Sequence, residues 1–210
     1  MAGSDTFSTY VSSSGVAAAD PDGICLSQTP GGASNLTING ALTSGGEATL
    51  SSTGVVARNV SVTSGGSSET GKKFTITGTD SAGNAVSEEI SGPGSSATVY
   101  TSKAFTIVTQ VAVDGATSGA VTVGSGTTVA STIFAGRARL RGIYFVNSGS
   151  SGLLSFTDGN NGTTVLQLLT TGTASSADYP DIPDEGLLCV EGAFVHYIAA
   201  DVTAVTVFYN

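Results

Sequence analysis

The sequence predicts an all-β chain: two β-sandwich domains preceded by an extended N-terminal arm. Three observations predict it. Apolar residues recur at every second position over short runs, the period of a half-buried strand. Those runs end in clusters of Gly, Ser, Asn and Asp, which are turn-forming residues. Apolar residues almost never recur at i, i+3, i+4 over a useful length, because Gly interrupts every candidate helix.

Residues 1–34 are polar and turn-rich. Asp20-Pro21-Asp22-Gly23 and Thr29-Pro30-Gly31-Gly32 punctuate them, and Ile24 and Leu26 are the available anchors. With no periodic apolar face, the segment is predicted to be an arm that orders only by lying on something. From 35 to 125 the two-residue period dominates. Leu36 and Ile38, Val60 and Val62, and Phe74 and Ile76 each alternate with polar neighbours. Thr79-Asp80-Ser81-Ala82-Gly83-Asn84 is turn chemistry, and it predicts a hairpin between 74–79 and 85–90. Phe105, Ile107, Val111, Val113, Val121 and Val123 complete a set that suits two antiparallel sheets.

Gly124-Ser125-Gly126-Thr127-Thr128 is predicted to be the domain linker. From 126 to 210 the pattern resumes with larger residues, at 140–146, 153–156, 165–169, 187–190, 194–198 and 202–209, again a sandwich or small jelly roll. Residues 178–186 carry two prolines among acids and are predicted to form a loop, since Pro cannot donate to a central ladder.

Composition narrows the function classes. The chain holds 29 glycines, 11% charged and 40% hydrophobic residues, which is not the signature of disorder. Acidic residues outnumber basic ones, 16 to 7, for a net charge of −9, so general nucleic-acid binding is not expected. Cys25 and Cys189 are expected to be two unpaired thiols. The first residues lack a basic and an apolar signal region, and no apolar run approaches a bilayer span. A soluble protein made in a cytoplasm, with no membrane partner, is the expectation. The sequons at Asn35, Asn59 and Asn161 are what chance supplies in so Ser/Thr-rich a chain.

Catalysis needs a proton carrier or an activated nucleophile. His196, the single histidine, lies in Phe194-Val195-His196-Tyr197-Ile198 and is read as a structural or interface histidine. No nucleophile elbow, phosphate loop with lysine, or His-Glu-x-x-His is present. A carboxylate pair for sugar hydrolysis is disfavoured, because aromatic platforms are scarce: there is no Trp and 7% aromatic content. Asp158-Gly159-Asn160-Asn161-Gly162 and the Asp80 to Asn84 turn offer oxygen ligands suited to calcium. Both also match ordinary hairpin turns, the preferred reading. No catalytic residue, metal ligand or cofactor is expected.

Arg137, Arg139 and Arg141 are the sharpest local feature. Spaced two apart, they are predicted to share one strand face that continues as Ile143 and Phe145, with Leu140, Tyr144 and Val146 opposite. The plain reading is a basic strand end neutralised by nearby acids. The sharper reading is a subunit interface formed by Arg137, Arg139, Arg141, Ile143 and Phe145, since Arg and aromatics are enriched at interfaces.

Several runs also carry a resemblance. Asn35-Leu36-Thr37-Ile38-Asn39-Gly40, Ala57-Arg58-Asn59-Val60-Ser61-Val62, Lys73-Phe74-Thr75-Ile76-Thr77-Gly78 and Phe105-Thr106-Ile107-Val108-Thr109 resemble a domain of tailed-bacteriophage structural proteins. Gly136-Arg137-Ala138-Arg139-Leu140-Arg141-Gly142-Ile143-Tyr144 and Val205-Thr206-Val207-Phe208-Tyr209 resemble small head-associated β domains. The resemblance implies an Ig-like sandwich followed by a jelly-roll-like domain. It also implies a capsid decoration (cement) protein on the outer surface of the virion, often a homotrimer, whose partner is the major capsid protein. It carries over no catalytic residue. Alternatives are a tail, neck or fibre-associated protein, a displayed receptor- or glycan-binding module and, least favoured, a cell-wall hydrolase.

Overall fold

A computed structural model describes residues 6–13, 16, 18–51 and 56–210. Every described element is a strand, and every strand pairing recorded is antiparallel. The chain divides into two compact units. A middle unit spans Ala17–Thr127, and a terminal unit combines Met1–Val16 with Thr128–Asn210.

In the middle unit, one sheet runs in the order β4 (Thr43–Ser44), β5 (Glu47–Thr49), β10 (Ile107–Val113), β7 (Lys73–Thr79), β8 (Ala85–Ser91), with β3 (Ser34–Asn35) also on β10. Beside β6 (Val56–Ser64) lie β9 (Thr98–Phe105) and β11 (Val121–Phe134), and β2 (Cys25–Gln28) joins β11. Alternating residues from both groups, Phe74, Ile76, Val111 and Val113 with Val60, Val62, Val121 and Val123, meet in one buried cluster. That is the sandwich the two-residue period predicts. The β7–β8 hairpin closes through the predicted turn, with Gly83 at φ +81°. There the Asp80 Oδ1 accepts from the N–H groups of Ala82 and Asn84, each at 2.9 Å.

The terminal unit also has two groups of strands. One runs β1 (Phe7–Ser12), β18 (Val202–Tyr209), β12 (Ala138–Asn147), β15 (Ala177–Asp178), with β16 (Leu187–Cys189) also on β12. The other runs β14 (Thr163–Leu169), β13 (Leu153–Asp158), β17 (Ala193–Ile198), and then the last half of β11. Leu140, Ile143, Val205 and Val207 from the first group and Leu154, Phe156 and Val195 from the second are all fully buried.

Two expectations differ from this architecture. Of the expected arm, residues 1–5, 14, 15 and 17 lie outside the described residues, but the described part is built into the sheets. Phe7–Ser12 pairs residue by residue with β18, from Phe7↔Tyr209 to Ser12↔Ala204, and Val11 is buried. Ile24 and Cys25 belong to the middle unit's core. The strand at 7–12 was hidden because its core-facing positions include a polar Thr9, so the alternation is faint. The second difference is the linker. Gly124-Ser125-Gly126-Thr127-Thr128 lies inside β11, and the units divide between Thr127 and Thr128. The glycines there serve close approach rather than flexibility. A Cβ on Gly124 would lie 1.9 Å from the Asp20 carbonyl oxygen, and one on Gly126 would lie 2.3 Å from the Asn59 side-chain oxygen.

Candidate functional site

The five expected interface residues are not on one face. The register of β12 against β18 shifts between Leu140 and Gly142, a bulge that inserts one residue and reverses the alternation after it. Leu140, Ile143 and Phe145 consequently point into the core, with Ile143 0% and Phe145 3% exposed. Ile143 and Phe145 are therefore core residues and present nothing to a partner. Tyr144, expected on the opposite face, stands outside with the arginines and is 42% exposed.

The arginines split in role. Arg137 is exposed, whereas Arg139 and Arg141 are partly buried against the 184–186 loop. Arg139 Nη1 donates to the Glu185 carbonyl at 3.0 Å, and Arg141 donates to the Asp184 carbonyl and, through Nε, to Asn210 Oδ1 at 3.0 Å. A Cβ on Gly186, at φ +69°, would fall 3.1 Å from Arg141 Cδ and 3.4 Å from Arg139 Cβ, so the loop is glycine-tight on both stems. The plain reading sets these arginines against acidic side chains; Arg139 and Arg141 donate instead to the backbone carbonyls of Glu185 and Asp184 and to the Asn210 side chain.

What the bulge creates is an aromatic face. Tyr10, Thr206 and Tyr144 are cross-strand neighbours in one row, and Ser8, Phe208 and Gly142 form the next. Tyr179 leaves the short β15 and lies across Gly142: a Cβ there would meet the Tyr179 hydroxyl at 2.8 Å and Phe208 Cδ2 at 3.4 Å. Position 142, the first paired residue after the bulge at Arg141, is thus also where the Tyr179 hydroxyl rests. Tyr10 and Tyr179 remain 64% and 66% exposed. Three solvent-facing tyrosines, Phe208 and two braced arginines make a surface of the composition that binding hot spots favour.

Asn147, fully buried at the end of β12, positions the loop that carries Tyr179. Its amide donates to the Ser176 carbonyl (3.1 Å), Ser176 Oγ (2.9 Å) and Asp178 Oδ2 (2.7 Å), and its Oδ1 accepts from the Thr171 N–H at 3.0 Å. An asparagine ending the run Ile143-Tyr144-Phe145-Val146 was the available signal, since a buried amide must find partners.

His196 lines a cleft of about 330 Å³ with Thr128, Gly152, Leu153, Ser155, Tyr197 and Ile198. Burial holds its imidazole down at about 4. Its Nε2 accepts from the Asn161 N–H at 3.4 Å. Ser155 is its cross-strand neighbour, but that hydroxyl accepts from Gln167 Nε2 at 3.1 Å. Each member of this Ser–His pair is thus turned to a different group. The other turn considered for calcium spends its carboxylate on backbone as well, since Asp158 Oδ1 accepts from the Glu191 N–H at 2.6 Å. Both cysteines are buried free thiols. Burial pushes Cys25 up to about 12, and burial with the nearby Asp158 charge pushes Cys189 up to about 11.

The class this fold defines is the all-β, sandwich-type protein with antiparallel sheets. Comparison with family models, with characterised proteins and with solved structures finds no match.

Proposed function

We propose that this chain is a non-enzymatic structural protein of a tailed-bacteriophage virion, a capsid decoration protein. It would bind the outer surface of the major capsid shell and stabilise it. The observation that carries the reading is the aromatic face. Tyr10 and Tyr144 stand in solvent on the sheet and Tyr179 on the segment that follows β15, and Arg139 and Arg141 donate to the carbonyls of the 184–186 loop. Tyrosine and arginine on a preorganised surface supply contact area at low entropic cost. Repetition over a symmetric shell multiplies modest contacts by avidity. The phage assignment itself, with an Ig-like middle unit and a jelly-roll-like terminal unit, rests on the sequence resemblance.

Tyr179, 66% exposed with its hydroxyl over Gly142, favours a second reading: a displayed receptor- or glycan-binding module, including one in a tail, neck or fibre. Copy number decides between virion locations, hundreds per particle for decoration and a few to tens for a tail part (about these orders by symmetry alone). The direct test adds purified protein to particles lacking it. Saturable binding to heads with restored heat resistance supports decoration. Binding to host cells or glycans, with none to heads, supports the second reading and overturns the first.

A further inference from the structure

The turn between β13 and β14 carries a reactive pair of residues. Asn161 and Gly162 close this turn, and both are exposed. The fold asks for each of them. Position 161 has φ +58°, a region that Asn and Asp enter more readily than other residues with a side chain. A Cβ on Gly162 would collide with the Asp158 carbonyl oxygen, so close backbone approach requires glycine there. The hairpin therefore sets an asparagine amide next to a peptide nitrogen that no side chain shields.

The sequence holds one other such pair, Asn39-Gly40, and its surroundings are the opposite. The Asn39 Oδ1 accepts from the Leu26 N–H at 2.9 Å, and the Gly40 N–H donates to the Ile24 carbonyl at 2.9 Å. Gly40 is also pressed against the Asp22-Gly23 backbone, which a Cβ would strike. Both reacting groups are held in place. At Asn161 the backbone N–H donates to His196 Nε2 at 3.4 Å, while the side-chain amide has no hydrogen bond among the described residues. The Gly162 N–H reaches the Gly159 carbonyl at 3.2 Å, a single bond in an exposed turn that water can replace.

We propose that Asn161-Gly162 is a self-modification site, where the chain converts its own amide to a carboxylate with water as co-reactant. The Gly162 nitrogen gives its proton to a base in solvent and bonds to Asn161 Cγ. The Cγ–Nδ2 bond then breaks, Nδ2 takes up a proton and leaves as ammonia, and a cyclic imide remains. Water adds to one of the two imide carbonyls. Addition at Cγ breaks the new Cγ–N bond and gives aspartate. Addition at the backbone carbonyl breaks the old peptide bond and gives isoaspartate, with the chain now running through Cγ. No oxidant or reductant takes part. Aspartate keeps the turn, because Asp also tolerates positive φ. Isoaspartate lengthens the backbone by one carbon just before the Asp158↔Thr163 pair. Either product adds one negative charge to the turn that touches His196. This inference is independent of the capsid reading.

The test incubates the full chain at pH 9, folded and in urea, and follows it by peptide mass mapping. Cleavage before Asp158 and Asp178 releases a peptide holding Asn161, and conversion adds one mass unit to it. Isoaspartate is counted separately, by methyl transfer from an isoaspartyl methyltransferase. In urea the two Asn-Gly pairs are expected to react alike. In the folded chain Asn161 is expected to convert at least about tenfold faster than Asn39, because freeing Asn39 and Gly40 breaks two hydrogen bonds in a packed segment. Asn161→Asp is expected to keep the β-sheet circular dichroism, and its peptide is expected to gain no mass. Folded Asn161 that converts no faster than Asn39, or that stays intact while the unfolded chain converts, would overturn the proposal. So would a mass gain that persists in Asn161→Asp, since it would place the reaction at a neighbouring amide.

Discussion

The Arg58 guanidinium holds the Gly126 carbonyl in a two-pronged grip, with Nε at 3.0 Å and Nη2 donating alongside. Its Nη1 reaches the Ala18 carbonyl at 3.2 Å. Ala18, Arg58 and Gly126 all belong to the middle unit, so one side chain ties together three of its segments that are far apart in sequence. Ser125 adds to this junction: its N–H donates to the Asp20 carbonyl at 2.8 Å, and its hydroxyl accepts from the Asp20 N–H at 3.1 Å. Arg58 is 3% exposed, and burial lowers its pKa.

Arg58→Met is expected to lower stability by about 3 kcal/mol, since buried carbonyls lose charge-assisted donors. Arg58→Lys should recover little of it, because an ammonium cannot reproduce the planar fork. Urea unfolding of the three proteins checks this, and equal midpoints would contradict it.

This junction also shows what was legible in the sequence. Phe74 and Ile76 announced a strand, and Asp80 to Asn84 announced its hairpin, because both signals are local. The Gly124–Gly126 segment looked like a linker, since glycine chosen for close packing is indistinguishable from glycine chosen for flexibility. Only the proximity of Asp20 and Asn59, far away in the chain, tells them apart. Likewise, period two placed the arginines correctly relative to one another but failed at Ile143 and Phe145. A bulge at Arg141–Gly142 changes the parity of everything after it, and its cause is the pairing with β18. The aromatic face was invisible for the same reason, as Tyr10 and Tyr144 flank Thr206 only through long-range register.

His196 makes stability depend on pH. An unfolded histidine binds a proton near its usual value of about 6.5, whereas the folded one resists until about 4. Its contribution is fully present above about pH 6.5 and is lost as pH falls from there to about 4. The loss is at most about 3 kcal/mol. His196→Gln should flatten the melting temperature between pH 7 and 4, and an unchanged slope would refute this assignment.

Asp201 has the opposite sign. It is 5% exposed, its Oδ2 has no hydrogen-bond partner among the described residues, and burial raises its pKa. A carboxyl raised in the folded state favours folding fully below its unfolded value of about 3.9, and that advantage fades as pH rises through the folded pKa. Asp201→Asn should therefore stabilise the protein at pH 7 by about 1 kcal/mol. The gain should shrink toward pH 4. Calorimetry at both pH values checks it, and a lower melting temperature at pH 7 would contradict it.

Asn147 should matter to the face more than its distance suggests. Asn147→Ala removes four hydrogen bonds that hold the loop leading to Tyr179. Loss of about 2 kcal/mol is expected, with faster amide exchange at 171–178. Protection unchanged in that loop would show that it is held by other means. Gly142→Ala should displace the Tyr179 side chain at little cost in stability, because the obstructing atom is the hydroxyl at a side-chain tip and not backbone.

The central claim is that the tyrosine and arginine face binds a capsid shell. The most direct measurement is rebinding of purified protein to heads that lack it, comparing wild type with a Tyr144→Ser, Tyr179→Ser, Arg141→Ser triple variant of unchanged fold. Wild type is expected to saturate the heads and raise their disruption temperature, and the triple variant is expected to do neither. A variant that binds and protects as wild type does, or depleted heads as stable as complete ones, would contradict the account.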